Sequence, residues 1–356
     1  MIHKIQITRV IDSHVTFTVF ILIMFLFAGV IYPVKIMAAW FGFVVSAYSV
    51  IANDSLQTIG TFLASNRECK WWILWIYIST IFFVTLLFSW LTYDGDISHQ
   101  RLLAKGFEDA PSQFVYLQIA APIILLVLTH IKMPVSTSFL VLGSFVGSGV
   151  ALNNMIMKSL SGYLLAFVSS FIVFILIAKW SKRCFVGQPS KIWYFTQWTT
   201  SGLLWSIWLQ QDLANIAIFL PRSLNTGEFS LIAGFIILEL SVLLFFRGGR
   251  IQEVVVEKTD VSDPRFATMI DGVYAIVLGY FRMINRIPMS TTWVFLGLLA
   301  GRELAIWLRG TSAFDFSRVR YLIGKDALKA LIGFMISILV AFSVNPYIKP
   351  TLLING

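Results

Sequence analysis

The chain has 356 residues, of which 58% are hydrophobic and 13% charged, with a net charge of +9 and a mean hydropathy of +0.81. A water-soluble core cannot hide so much apolar surface, so the lipid bilayer is the expected solvent. The basic residues are scattered through short loops rather than gathered into one domain, which argues against a nucleic-acid partner and fits the positive-inside rule instead.

Uncharged runs recur along the sequence at 13–34, 36–53, 71–93, 110–131, 133–157, 159–178, 192–211 and 330–348. Each can cross a hydrocarbon core of about 30 Å as a helix of about 20 residues. The runs lack the period-2 alternation of a barrel, so helices are the expected spanning element, and an all-α polytopic fold of about ten to twelve segments follows. The first run follows Lys4 and Arg9 but is longer than a signal h-region, and no A-x-A pattern comes after it. Residues 1–35 therefore read as a retained transmembrane helix. Trp71, Trp72, Trp75, Trp193, Tyr194 and Trp198 stand near the starts of apolar runs, as interfacial anchors do. Cys69 and Cys184 lie far apart in basic loops, where they read as reduced thiols rather than a metal or redox motif.

The chain repeats itself in order. The first half holds Ala52-Asn53-Asp54-Ser55-Leu56-Gln57 and then Met133-Pro134-Val135-Ser136-Thr137-Ser138; the second holds Gln210-Gln211-Asp212-Leu213-Ala214-Asn215 and then Ile287-Pro288-Met289-Ser290-Thr291-Thr292. Pro134 follows Asp54 by 80 residues and Pro288 follows Asp212 by 76, and a cation, Lys132 or Arg286, stands two residues before each proline. The matched order predicts a duplication, with a first repeat at 36–181 and a second at 192–346. Between the motifs, segment 94–109 carries Arg101 and Lys105, whereas segment 247–265 carries Arg247, Arg250, Lys258 and Arg265. Counting basic residues puts the first segment outside and the second inside, so the repeats are expected to be inverted, as in secondary transporters.

An Asp inside an apolar run costs roughly 2.5–3.5 kcal/mol on insertion scales unless a cation or water meets it. Asn53, Asp54 and Gln57 in one half, and Gln211, Asp212 and Asn215 in the other, offer hard oxygens suited to sodium or a similar ion, with Asp54 and Asp212 as its principal ligands. The alternative is that both elements mark membrane–water boundaries. Pro134 and Pro288 precede hydroxyl clusters, Ser136, Thr137 and Ser138, and Ser290, Thr291 and Thr292. A proline opening a helix beside hydroxyl donors and free N–H groups makes an anion site at the positive dipole end. A Pro-kinked helix with back-bonded hydroxyls is the alternative.

These repeated Asn-Asp and Pro-x-Ser-Thr elements resemble the inorganic phosphate transporter (PiT) family, which includes sulfate permeases and whose halves each carry G-x-N-D-x-x-N-A and P-x-S-T-T-H elements. The resemblance spans roughly residues 36 to 346 in architecture, with residue-level matches in four short stretches. It implies inverted-topology repeats with discontinuous or re-entrant half-helices and cation-coupled uptake of an oxyanion. Oxyanion contacts would come from Ser136, Thr137, Ser138, Ser290, Thr291 and Thr292, and cation contacts from around Asp54, Asp212 and Asn215. Phe139 and Trp293 stand where the family has His, Gln57 replaces the first-half Asn, Gln211 replaces the second-half Asn before Asp, and the leading Gly is missing from both elements.

The resulting expectation is a non-enzymatic symporter in the plasma (inner) membrane, with phosphate first and sulfate second as its anion. No covalent cofactor is expected; sodium or a proton is the coupling ion, and a homodimer is one assembly the reading allows. The rivals are a non-transporting sensor of the same fold and an intramembrane lipid-phosphate phosphatase, although His3, His14, His99 and His130 follow no nucleophile–base spacing. Glu239 is either functional or a structural partner for a neighbouring helix. Arg222 is expected to snorkel to the interface, Arg302 and Glu303 to pair or face a loop, and Gly147, Gly149 and Gly301 to permit close helix packing.

Overall fold

The computed structural model describes residues 2–103, 107, 110–131, 133–246, 263–310 and 315–345, with only the backbone course given for 2–14, 55–56 and 179–184. Lys105, Glu108, Asp109, Lys132, Arg247, Arg250 and Lys258 lie outside the described residues, as does residue 346 at the end of the second repeat. In chain order the first part comprises α1 (Ile2–Ile31), α2 (Lys35–Val50), a π-helical turn (Ile51–Ser55), α3 (Leu56–Ser65) and α4 (Trp71–Thr92), followed by a 3-10 turn (Arg101–Leu103), α5 (Tyr116–His130), α6 (Thr137–Leu140), a second 3-10 turn (Leu142–Phe145) and α7 (Gly149–Cys184). The second part comprises α8 (Lys191–Asp212), α9 (Ala214–Ala217), α10 (Thr226–Phe245), α11 (Pro264–Ile284), α12 (Thr291–Leu308) and α13 (Phe316–Val344).

Seven helical stretches among the described residues are long and apolar enough to span a bilayer, and Val15–Ile31 and Tyr116–His130 are shorter apolar helices. Helix α8 has the length, at 22 residues, but Gln197, Gln210, Gln211 and Asp212 make it too polar to pass the same test. From Gln197 onward one face of it is covered by neighbours, as it packs along α11, α4 and α3, while Ile192, Phe195 and Leu203 stay exposed. The molecule is thus an integral, multi-pass, all-helical membrane protein.

Loop contacts sort the helix ends onto two faces. On one face Asn66, after α3, bonds Gln197 near the start of α8 at 3.0 Å, and Arg265, opening α11, donates to the Gly187 carbonyl at 3.2 Å. On the other face Leu224 N–H donates to the Gly95 carbonyl at 3.1 Å, Gln118 donates to the Ser144 carbonyl at 3.2 Å, and Asn345 donates to the Val146 carbonyl at 3.4 Å. Gly95 sits at φ +90°, and a Cβ there would lie 2.8 Å from the Leu224 nitrogen, so the close approach of the two loops requires glycine. The first face carries Arg67, Lys70, Lys191 and Arg265, which places it inside by the positive-inside rule.

Direction along the chain then shows the inversion. Helices α2 and α3 run from the outer face to the inner one, whereas α8 and α9 run from inner to outer. The α5–α6 hairpin dips into the protein from outside and returns; the α11–α12 hairpin dips from inside. Packing repeats accordingly: α2 lies on α5 as α8 lies on α11, α4 lies on α10, and α7 crosses to α12 as α13 crosses to α6 and its 3-10 extension. Each half's long last helix therefore braces the other half's re-entrant segment.

The α7–α12 contact is the tightest of these. A Cβ on Gly297 would stand 2.3 Å from the Tyr163 carbonyl oxygen, and one on Gly301 2.2 Å from that of Phe167. This spacing of four lets the two backbones touch, the usual route to helix association in lipid. Gly301 thus meets the packing expectation, while a Cβ on Gly147 would meet nothing within 4 Å because that glycine lies in the outer turn. Gly297→Val or Gly301→Val should lower stability by about 1–3 kcal/mol through overpacking, read as a fall in the thermal unfolding midpoint of the purified protein; Gly147→Val should leave it unchanged.

Candidate functional site

Both Asp elements sit where a membrane helix is interrupted. In the first half Asp54 lies in the π-helical turn between α2 and α3. Such turns release backbone carbonyls, and here the Gln57 amide donates to the Asn53 carbonyl at 3.2 Å. In the second half α8 ends at Asp212, and only Leu213 separates it from α9. Asp54 and Asp212 are each 1% exposed, and neither forms an ion pair among the described residues. The two carboxylates lie within electrostatic range of each other.

Prolines 134 and 288 bring the hydroxyl clusters to the same place, and the two halves use them alike. Ser136 caps α6, its hydroxyl accepting from Phe139 N–H at 3.2 Å. Ser290 caps α12, accepting from Trp293 N–H at 3.1 Å. Ser138 donates across to the Met289 carbonyl at 3.0 Å, and Thr292 reciprocates to the Val135 carbonyl at 3.3 Å. Hydroxyls also reach the acids: Thr137 donates to Asp54 Oδ2, and Ser138 lies 3.4 Å from Asp212 Oδ1. Thr292 faces Asp54, as Thr291 faces Asp212. Six hydroxyls and two carboxylates from four sequence stretches thus form one buried cluster.

The half-helices are unequal. Helix α6 has a single turn that passes into a 3-10 turn, whereas α12 runs for 18 residues. Gly143, Gly147 and Gly149 explain the short first one, since glycine is a poor helix former. A full helix dipole is therefore aimed at the cluster only from the second half.

The cation elements also differ. Asn53 donates to Asp54 Oδ1 at 2.6 Å and to the Val135 carbonyl at 2.9 Å, while Thr129 donates to its Oδ1 at 3.4 Å. Asn215 donates to Asp212 Oδ1 at 2.9 Å, leaving Asp212 Oδ2 and Asn215 Oδ1 buried with no hydrogen-bond partner among the described residues. Two orphaned acceptors side by side are chemically suited to a hard cation. Gln57, three residues after Asp54, spends its amide on the Asn53 carbonyl rather than on the Asp54 carboxylate. Gln211 likewise turns away from Asp212, its amide donating to the Leu278 carbonyl at 3.0 Å and its oxygen accepting from Arg101.

Phe139 and Trp293 close the cluster. Their ring centroids lie 5.2 Å apart, and each packs on Phe334 of α13, at 5.1 and 5.4 Å. The two positions that read as lost polar groups are one apolar contact across the halves.

Sequence reading missed three groups. Tyr274, on α11, is buried and donates to the Thr291 carbonyl at 3.0 Å. Arg101, in the outer loop, is fully buried against the Asp212 element. Asp271, also on α11, accepts from Thr61 at 2.6 Å and from Ser201, which joins α3, α8 and α11 below the cluster. A lone acid breaking the apolar 264–284 stretch was the available signal for Asp271. Of the other polar residues, Arg222 is part-buried in the loop after α9, donating to the Leu220 carbonyl at 3.2 Å. Arg302 and Glu303 pair at 2.6 Å. Glu239 Oε2 is buried with no hydrogen-bond partner among the described residues.

Neither a sequence-family description nor a curated protein sequence matches the chain. A solved structure does: "The sodium-dependent phosphate transporter" is similar with a TM-score of 0.60 at 16% identity, over 90% of this chain and 98% of that one. The chain has the fold of a polytopic, phosphate-transporter-like membrane protein.

Each hydroxyl on Asp271 satisfies a buried acceptor whose loss costs about 1–3 kcal/mol. Thr61→Val and Ser201→Ala should each lower the thermal midpoint of the purified protein, whereas Asp271→Asn, which needs less solvation than an acid, should lower it less than the Thr61→Val, Ser201→Ala pair.

Proposed function

We propose that the chain is a cation-coupled symporter of a small inorganic oxyanion, phosphate first and sulfate second, in the plasma (inner) membrane. Its two repeats would be 36–181 and 192–346, with 1–35 as an added helix. The observation that carries this reading is the shared cluster, in which the hydroxyls suited to an anion are bonded to the carboxylates suited to a cation. Thr137 on Asp54 and Ser138 beside Asp212 are the clearest members. A cation bound at Asp54 or Asp212 draws the carboxylate lone pairs and releases Thr137, Ser138, Thr291 and Thr292 to turn their O–H groups toward an anion. Ser136 and Ser290 hold the two helix starts in place, and the α12 N–H groups add the dipole.

Coupling also answers an electrical problem. A dianion entering against an inside-negative potential is opposed by about 2.3 kcal/mol per charge for each 100 mV, and cotransported cations remove that term. The name of the solved neighbour supports sodium as the cation and phosphate as the anion. Asn53, Asp54, Asp212 and Asn215 would form the cation shell, with Gln57 and Gln211 holding the backbone behind it. Rocking of one inverted half against the other, with α7 and α13 as braces, would expose the cluster alternately to each side.

In tight proteoliposomes, an imposed sodium gradient should drive accumulation of labelled phosphate or sulfate, with a proton gradient as the competing arm. Asp54→Asn and Asp212→Asn should each reduce coupled uptake at least about tenfold, by removing a charge made to meet the ion. Uptake unchanged in both variants would sink the assignment. Binding of the anion without flux would instead identify a sensor, and release of inorganic phosphate from a lipid phosphate would identify a phosphatase.

A further inference from the structure

The outer loop carries a cation into the site. After α4, Asp96 accepts from Ser98 N–H at 2.8 Å and from Gln100 N–H at 2.6 Å. His99 and Gln100 both adopt left-handed backbone, at φ +52° and +61°, a conformation uncommon for such residues and kept only where the surroundings over-determine it. The turn delivers Arg101 inward, with none of its surface exposed. Its guanidinium donates to Gln211 Oε1, to the Ile287 carbonyl just before Pro288 at 2.9 Å, and to the Gln210 carbonyl at 3.4 Å.

No carboxylate pairs with Arg101 within ion-pair distance among the described residues, yet Asp212 is within its electrostatic range. Lys158, from α7, donates to the same segment, to the Ile287 carbonyl at 2.7 Å and to Asn285 Oδ1 at 2.7 Å. Arg282 faces both side chains, and its Nε is buried with no hydrogen-bond partner among the described residues. Among the described residues the first-half Asp54 has no such neighbour: hydroxyls and Asn53 surround it, and the charge facing it is Asp212. Among those residues the site is thus symmetric in its hydroxyls and asymmetric in its charge.

We infer that Arg101 is a fixed positive charge that strengthens oxyanion binding and weakens cation binding at the Asp212 element. This rests on the symporter reading and adds to it a residue that balances the affinities of the two solutes. A buried unit charge acts on both with opposite signs, because field lines between them pass through protein rather than water. Arg101 is a positioning and selectivity residue here; its donors are engaged with carbonyls and Gln211, and its charge does the rest.

The test compares wild type, Arg101→Met and Arg101→Lys in two assays. One is sodium-driven uptake of phosphate and of sulfate in proteoliposomes; the other is the shift in thermal midpoint produced by sodium chloride, phosphate or sulfate on purified protein. Arg101→Met should lower the half-saturating sodium concentration and raise the half-saturating anion concentration, each by at least about fivefold. Arg101→Lys, which keeps an ammonium but loses the fork of donors, should shift both constants in the same directions as Arg101→Met but by less. Should Arg101→Met fail to fold, Arg101→Gln carries the same comparison. Constants that do not move, that move in the same direction, or that move alike in the Lys and Met variants would overturn the inference and make Arg101 a structural clamp. A wild-type protein that neither binds nor carries either anion overturns the symporter reading, and the inference with it.

Discussion

Everything at the centre of this molecule follows from two carboxylates held where lipid would otherwise be. Asp54 and Asp212 are covered almost completely, and a membrane offers no water to soften their charge. The fold answers with dipoles instead of salt bridges. Helices are interrupted beside each acid, re-entrant segments from both halves are drawn in by their prolines, and hydroxyls are spent on carboxylate oxygens. Short polar donors can do this because they turn about one bond and later serve another acceptor.

On the proposed symporter reading, the same arrangement would make cation and anion interdependent. With the acids bare, the hydroxyls are engaged with them or with the Val135 and Met289 carbonyls across the interface. With a cation on the acids, as proposed, those hydroxyls would be free to donate elsewhere. Reciprocal bonding of Ser138 and Thr292 ties the two half-helix starts to one another, so whatever fills the cluster is felt by both halves at once. Arg101 then breaks the symmetry by bringing a positive charge to the segment before Pro288, with Lys158 donating beside it, while among the described residues Asp54 meets neutral donors.

Around this centre, rigidity comes from backbone-level contacts. Gly297 and Gly301 seat α12 on α7, and the hydroxyls of Thr61 and Ser201 hold Asp271 between α3, α8 and α11. These contacts cross the boundary between the halves, as do the rings of Phe139, Trp293 and Phe334. In the rocking proposed above, these contacts across the halves would be the ones that shift or give.

The sequence by itself determined the solvent, the helical class, the duplication and the opposed orientation of its halves, because apolar run length, loop charge and repeated short motifs are local and additive. It also marked the twelve polar residues of the four elements, since a charge or a proline in an apolar run is conspicuous on its own. Tertiary structure decided the rest. Gln57 turns to the Asn53 carbonyl beside the π-helical turn, and Gln211 turns to Arg101 because a distant loop folds inward. Phe139 and Trp293 become partners only when the halves meet. Arg101 and Asp271 gain their meaning from neighbours 70 or more residues away: side-chain periodicity reports which face of a helix is polar, but only packing settles which polar groups share one enclosed volume.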